Sequence, residues 1–167
     1  PILNAVIGLL PGTGRVTGGT IRFQGRDITH VQPQVRAKMG LARTFQGERP
    51  FEDLSVLENV LVAAFLKHRG RQAEDHAYAV LERVGLADRA AQPASQLNLA
   101  RRRRLEMAKA LALEPKVLFL DESIAGLNPP AQQEMVALVR QLAQSGIGPV
   151  RKGSSWQSGR RRASPPR

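Results

Sequence analysis

The run Val117-Leu118-Phe119-Leu120-Asp121-Glu122 ends an apolar strand in two adjacent acids. Four consecutive apolar residues suit a strand buried on both faces. In open α/β sheets, ligands bind just beyond the carboxyl ends of the strands. An Asp at that place can hold the Mg²⁺ of a nucleotide, and a Glu beside it can orient or deprotonate an attacking water. An Asp-Glu pair alone describes a solvated acidic turn equally well, so its surroundings must decide. Ala125-Gly126-Leu127-Asn128-Pro129 comes next. Asn128 is suited to capping a helix whose first position is Pro129.

Those residues need elements to hold them. Pro1 to Leu10 reads as a helix with Leu3, Val6, Ile7 and Leu10 on one face. Pro11 to Gly14 is a break. Thr20 to Gln24 alternates like a strand and runs into a turn at Gly25, with Ile28 beyond it. Met39 to Gln46 contains a short strand. Ser55 and Glu58 form a capping box ahead of an apolar helix that reaches Leu66. Ala77, Val80, Leu81 and Val84 give a second helix, ended by Gly85. A third runs from about Leu99 to Leu113, with Leu105, Ala108, Leu111 and Ala112 facing inward. The helix after Asn128 carries a buried stripe of Met135, Leu138, Val139 and Leu142.

At 167 residues the chain can build one domain with a real core. It has no cysteine, which excludes a disulfide framework, a thiolate zinc site and a cysteine nucleophile. No apolar run approaches the roughly 18 residues that would span a bilayer, and the apolar start lacks the basic flank of a signal peptide. The net charge is +11. Much of it sits in two places: Arg101 to Arg104, and residues 151–167, which hold six Lys/Arg and no acid. Aromatics are scarce and nothing interleaves them with base, so no specific nucleic-acid partner is expected. His30, His68 and His76 read as exposed polar residues without metal-site spacing. From residue 148 onward the Arg, Ser, Gly and Pro composition predicts a disordered basic tail.

Five stretches in one order resemble the ATP-binding subunit of ABC transporters, and most of all the subunits that serve branched-chain amino-acid importers. Gly40-Leu41-Ala42-Arg43-Thr44-Phe45-Gln46 looks like the strand ending in the Q-loop glutamine. Leu54 to Val60 follows as in that subfamily. Leu81 to Asp88 looks like the end of the helical subdomain, and Leu97 to Ala112 lies where the signature motif and its helix belong. Val117 to Pro129 looks like Walker B and the D-loop. The resemblance implies an α/β fold: a P-loop NTPase-type core with an antiparallel β segment and a helical subdomain near 54–113, the whole domain occupying 1–147. It implies ATP and Mg²⁺ as cofactors. Gln46 would lie near the γ-phosphate and contact Mg²⁺ or the lytic water. Asp121 would support Mg²⁺, and Glu122 would be the catalytic carboxylate. Asn98, Ala100 and Arg101 would stand in the signature, where a helix N-terminus meets the γ-phosphate held by a second subunit. Asn128 would belong to the D-loop at the same contact. The implied partners are that second ATP-binding subunit, in a head-to-tail pair, and the membrane subunits of the transporter. The implied location is cytoplasmic, peripheral on the inner face of the cell membrane.

The chain also departs from the family. The 167 residues contain no Gly-x-x-x-x-Gly-Lys-Ser/Thr loop, and in register Pro1 falls just past it. The signature reads Leu97-Asn98-Leu99-Ala100-Arg101. The Asn98 amide replaces a hydroxyl, and Ala100 adds a methyl where glycine allows close approach. Arg101 either supplies charge to a phosphate or extends a basic turn. No histidine follows residue 147, so a switch histidine is missing and a shifted reading frame is one explanation of the tail. These departures lead to the expectation of a copy truncated at both ends, with little ATPase activity by itself. Two other readings stand beside it: a non-catalytic module in which 54–113 docks a transporter membrane subunit, and a non-specific polyanion binder through Arg101–Arg104 and the tail.

Overall fold

The computed structural model describes residues 2–10, 16–44, 50–120, 126–146 and 148–151. A short helix α1 (Ile2–Ile7) leads to a two-stranded hairpin, β1 (Arg22–Phe23) and β2 (Arg26–Asp27). Its turn is Gln24-Gly25, both with positive φ, the conformation that matches the twist of antiparallel strands. Helix α2 (Pro33–Lys38) and strand β3 (Leu41–Thr44) follow. Next come three packed helices: α3 (Val56–Ala64), α4 (Arg71–Val84) and α5 (Leu99–Leu111). Strand β4 (Val117–Leu120), helix α6 (Pro129–Gln144) and strand β5 (Gly148–Arg151) complete the order.

The main sheet is parallel, in the order β3-β4-β5. Its central strand is buried on both faces, as an apolar run requires. Leu118 and Leu120 point into the larger core with Ala42 and the helices, while Phe119 joins Ile7, Ile28 and Leu41 on the other side. The larger core is continuous from α3, α4 and α5 through to Met135, Leu138, Val139 and Leu142 of α6. The stripes expected on α4, α5 and α6 are the buried faces found.

Local signals act where they stand. Ser55 Oγ accepts from the Glu58 amide while Glu58 accepts from the Ser55 amide at 2.7 Å, a complete capping box. Asn59, fully buried, closes the loop ahead of it. Its Oδ1 accepts from the Phe51 amide, and its Nδ2 donates to the carbonyls of Phe51 and Ser55. Gly85 ends α4 in the left-handed conformation. Gly40 has φ +103°, and a Cβ there would stand 2.9 Å from Lys116 Cγ and 3.1 Å from its backbone nitrogen. That contact is needed, because the Gly40 carbonyl accepts from the amides of Lys116 and Val117 and so opens the pairing of β3 with β4.

Two expectations are corrected. Disorder from residue 148 onward fails at its first four residues, which pair with β4 from Val117↔Gly148 to Leu120↔Arg151. The Gly-Pro-Val-Arg sequence shows no alternation, but β4 offers an open edge whose amides and carbonyls must be satisfied. Residues 152–167, including Trp156, lie outside the described residues. The histidines also differ from expectation. His30 is exposed, whereas His68 and His76 are partly buried with ring centroids 4.6 Å apart, beside Glu114. Helix α2 had no counterpart in the sequence reading.

Candidate nucleotide site and docking groove

Strands β3 and β4 run the same way and end in register, Thr44 opposite Leu120. The C-terminal ends of the two strands therefore lie side by side at one edge of the sheet. Gln46, Asp121 and Glu122 themselves lie outside the described residues. Thr44 is buried at this edge, with its hydroxyl 3.5 Å from the Phe119 carbonyl oxygen.

The first turn of α5 is built as expected of a cap. Asn98 has extended backbone geometry and its Oδ1 accepts from the Arg101 amide at 3.0 Å. The amides of the first helical turn have no carbonyl four residues back, so those ahead of Arg101 remain donors for an acceptor outside the helix. Ala100 is partly buried against the larger core, so its methyl contributes to packing. Arg101 to Arg104 do not form a uniform basic turn. Arg102 donates to the carbonyls of Leu97 and Ser95, each at 2.9 Å. Arg103 pairs with Glu106 at 3.1 Å, and Arg104 pairs with Glu134 and reaches the Val84 carbonyl. Arg102 and Arg104 thus fasten α5 to its surroundings, while the Arg103–Glu106 pair lies within the helix. Among the described residues neither Arg101 nor Arg102 has an ion-pair partner, and Arg102 is engaged by its two carbonyls.

Asn128 caps α6, its Oδ1 accepting from the Ala131 amide at 3.1 Å. The segment before it lies against the start of α5: a Cβ on Gly126 would stand 3.6 Å from Leu99 Cδ2. The structure therefore brings the two caps' neighbourhoods together, the Asn98–Arg101 turn and the approach to Asn128.

A further feature escaped the sequence reading. An open apolar groove lies between α3, α5 and the end of β3, lined by Phe51, Val62, Leu66, Leu113 and Lys109. Phe51 is 50% exposed and Leu66 76%. Lys109 Nζ sits 5.1 Å from the Phe51 ring centroid, within cation–π range. The available signal was α3 itself, whose apolar residues surround the helix rather than forming one stripe.

The family model for ABC transporters matches residues 2–125. The chain belongs to the ABC transporter family. Among curated ABC proteins, it is 39% identical to the high-affinity branched-chain amino acid transport ATP-binding protein LivG of Salmonella typhimurium, over an alignment taking in 83% of this chain and 61% of the relative. It is 35% identical to the corresponding protein BraF of Pseudomonas aeruginosa, with the same coverage. The chain thus spans about three-fifths of the length of the curated relatives it matches. A nucleotide-free ATP-binding cassette from an ABC transporter superposes with a TM-score of 0.79 at 26% identity, covering 90% of this chain and 63% of the other. The ADP conformation of such a cassette gives 0.79 at 25%. The P-loop NTPase-type α/β fold expected of an ABC ATPase is the fold present. Among the described residues, no helix is long and apolar enough to cross a membrane.

Proposed function

We propose that this chain acts in the ATP-binding subunit of an ABC importer for branched-chain amino acids. The observation that supports it most is the register of β3 and β4, which sends the chain toward Gln46 and toward Asp121 from neighbouring strand ends. On this reading Asp121 and Gln46 hold the Mg²⁺ of ATP, and Glu122 receives the proton of the attacking water. Mg²⁺ would neutralise charge developing on the phosphates. The start of α5, with Asn98, Ala100 and Arg101, faces the γ-phosphate of a second subunit, and Asn128 meets that subunit beside it. First-turn amides and an unpaired guanidinium suit an anionic ligand there.

The groove between α3 and α5 is assigned to a cytoplasmic segment of a membrane subunit. An exposed apolar floor rimmed by Lys109 and Glu106 suits an amphipathic helix. On this reading the subunit lies on the cytoplasmic face of the membrane. ATP-driven uptake by the assembled transporter tests the reading. Glu122→Gln should lower turnover by about a hundredfold or more while nucleotide binding persists. Equal turnover in the variant, or uptake indifferent to ATP, would refute it.

A further inference from the structure

His68, His76 and Glu114 come from three separate segments: the turn after α3, the middle of α4 and the turn between α5 and β4. One ligand atom from each lies within 4.8 Å of the others. The geometry points to a divalent transition-metal site here, of the borderline class that zinc represents, joining the helical layer to the base of β4.

The hydrogen bonding of His76 gives the first argument. Its Nε2 is 3.2 Å from the Ala112 carbonyl oxygen. A carbonyl only accepts, so Nε2 must carry the proton. In the neutral ring, Nδ1 is then a lone pair, and it faces Glu114 Oε1 at 4.0 Å. Glu114 Oε1 also meets His68 Nε2 at 2.9 Å, so all three atoms are placed to ligate one cation between them. A backbone carbonyl holding the far nitrogen of a metal-binding histidine is the usual way its tautomer and ring direction are set.

Distances agree with this reading. Tetrahedral zinc with bonds of about 2.0–2.1 Å places its ligand atoms about 3.3–3.4 Å apart. The two separations to Glu114 Oε1 are 2.9 Å from His68 Nε2 and 4.0 Å from His76 Nδ1, on either side of that value. The third separation, between the two histidines, is at most 4.8 Å, so the ligands draw together on binding. Glu114 is about half exposed, which leaves water a fourth position. Two imidazoles and one carboxylate favour zinc-like ions over Mg²⁺, which prefers oxygen.

The backbone supplies a separate indication. Glu114 has φ +51°, a conformation that side chains other than Gly and Asn rarely adopt. This strained backbone position stands beside the two rings. Lys67 and Lys116 line a cleft with Glu114. Their charge weakens the attraction for a cation, so micromolar rather than nanomolar binding is expected.

The test is a titration of the untagged chain with Co²⁺, followed by its visible absorption and by competition with Zn²⁺. One saturable equivalent is expected, with the ring signals of His68 and His76 shifting in NMR spectra while those of His30 stay. His68→Gln and His76→Gln should each weaken binding by at least about tenfold, and His30→Gln should not. Absence of saturable binding, binding unchanged in both variants, or a shift of His30 alone would overturn the proposal. The NMR reading on the unsubstituted chain decides the matter even if a variant folds poorly.

Discussion

Arg36 caps α1 through Ala5: its Nη1 stands 2.6 Å from the Ala5 carbonyl oxygen and 2.7 Å from that of Val6. The same guanidinium donates from Nε to Val31 and from Nη2 to Thr29. A buried cation at a helix C-terminus is thus satisfied by four carbonyls. Removing it takes a donor from each of those oxygens, of which Ala5 keeps the Gly8 amide at 3.2 Å. Arg36→Met should cost about 3 kcal/mol or more, read from the urea midpoint. Arg36→Lys should recover only part, because an ammonium cannot span the fork.

Gly40 is constrained by both its φ and its neighbour. Gly40→Ala should destabilise by at least about 2 kcal/mol, from strain plus contact with the Lys116 backbone. Gly25 also has positive φ, but open space surrounds it. Gly25→Ala should therefore cost only about 1 kcal/mol. Equal thermal shifts in the two variants would contradict the role given to Lys116.

Both asparagine caps are replaceable in a defined way. Asn98→Ala and Asn128→Ala should each lower stability by about 1 kcal/mol, while Asn98→Ser should leave the Tm nearly unchanged. A large loss with serine would mean that the amide does more than cap.

Glu58 links the first capping box to pH. The Ser55 amide, helped by its hydroxyl, holds the carboxyl below the ordinary value of 4.5. A depressed pKa contributes stability above the unfolded value and loses it as pH falls through the folded one. Unfolding experiments should show this contribution intact above about pH 4.5 and fading below it. Glu58→Gln should flatten that part of the profile. An unaltered acid limb in Glu58→Gln would exclude the linkage.

The groove can be tested apart from catalysis. Leu66→Glu should weaken co-purification with the membrane subunits while leaving the Tm within about a degree, since an exposed side chain adds little stability. Tyr78→Glu, exposed on another face, should leave co-purification unchanged. If both substitutions act alike, the groove is not the docking surface.

Sequence alone revealed the elements whose signals are local. The Ser55–Glu58 box, the caps at Asn98 and Asn128, and the stripe on α6 each depend on residues within a few positions of one another. The apolar run 117–120 declared a two-faced strand for the same reason. What stayed hidden is set by distant partners. Helix α2 has six residues, too short for a periodic signal, and Arg36 looks like any solvated arginine until α1 lies against it. Strand β5 takes its conformation from the edge of β4. His68 and Glu114 are 46 positions apart, so no spacing rule joins them. The Phe51 groove depends on how α3 and α5 meet. Gln46, Asp121 and Glu122 are legible as motif residues.

The pairing of β3 with β4 also bears on how the molecule reaches its structure. Leu41 can meet Val117 only after the 75 intervening residues have closed into a loop, and loop-closure entropy opposes that step. Helices α3, α4 and α5 lie within the loop and pack on one another. Their contacts are nearer in sequence and form faster. A compact helical intermediate should therefore draw the two strands together, with the sheet edge leading to Gln46 and Asp121 assembled late. Substitutions inside the helical layer would then slow refolding, whereas those at Gly40 would mainly speed unfolding.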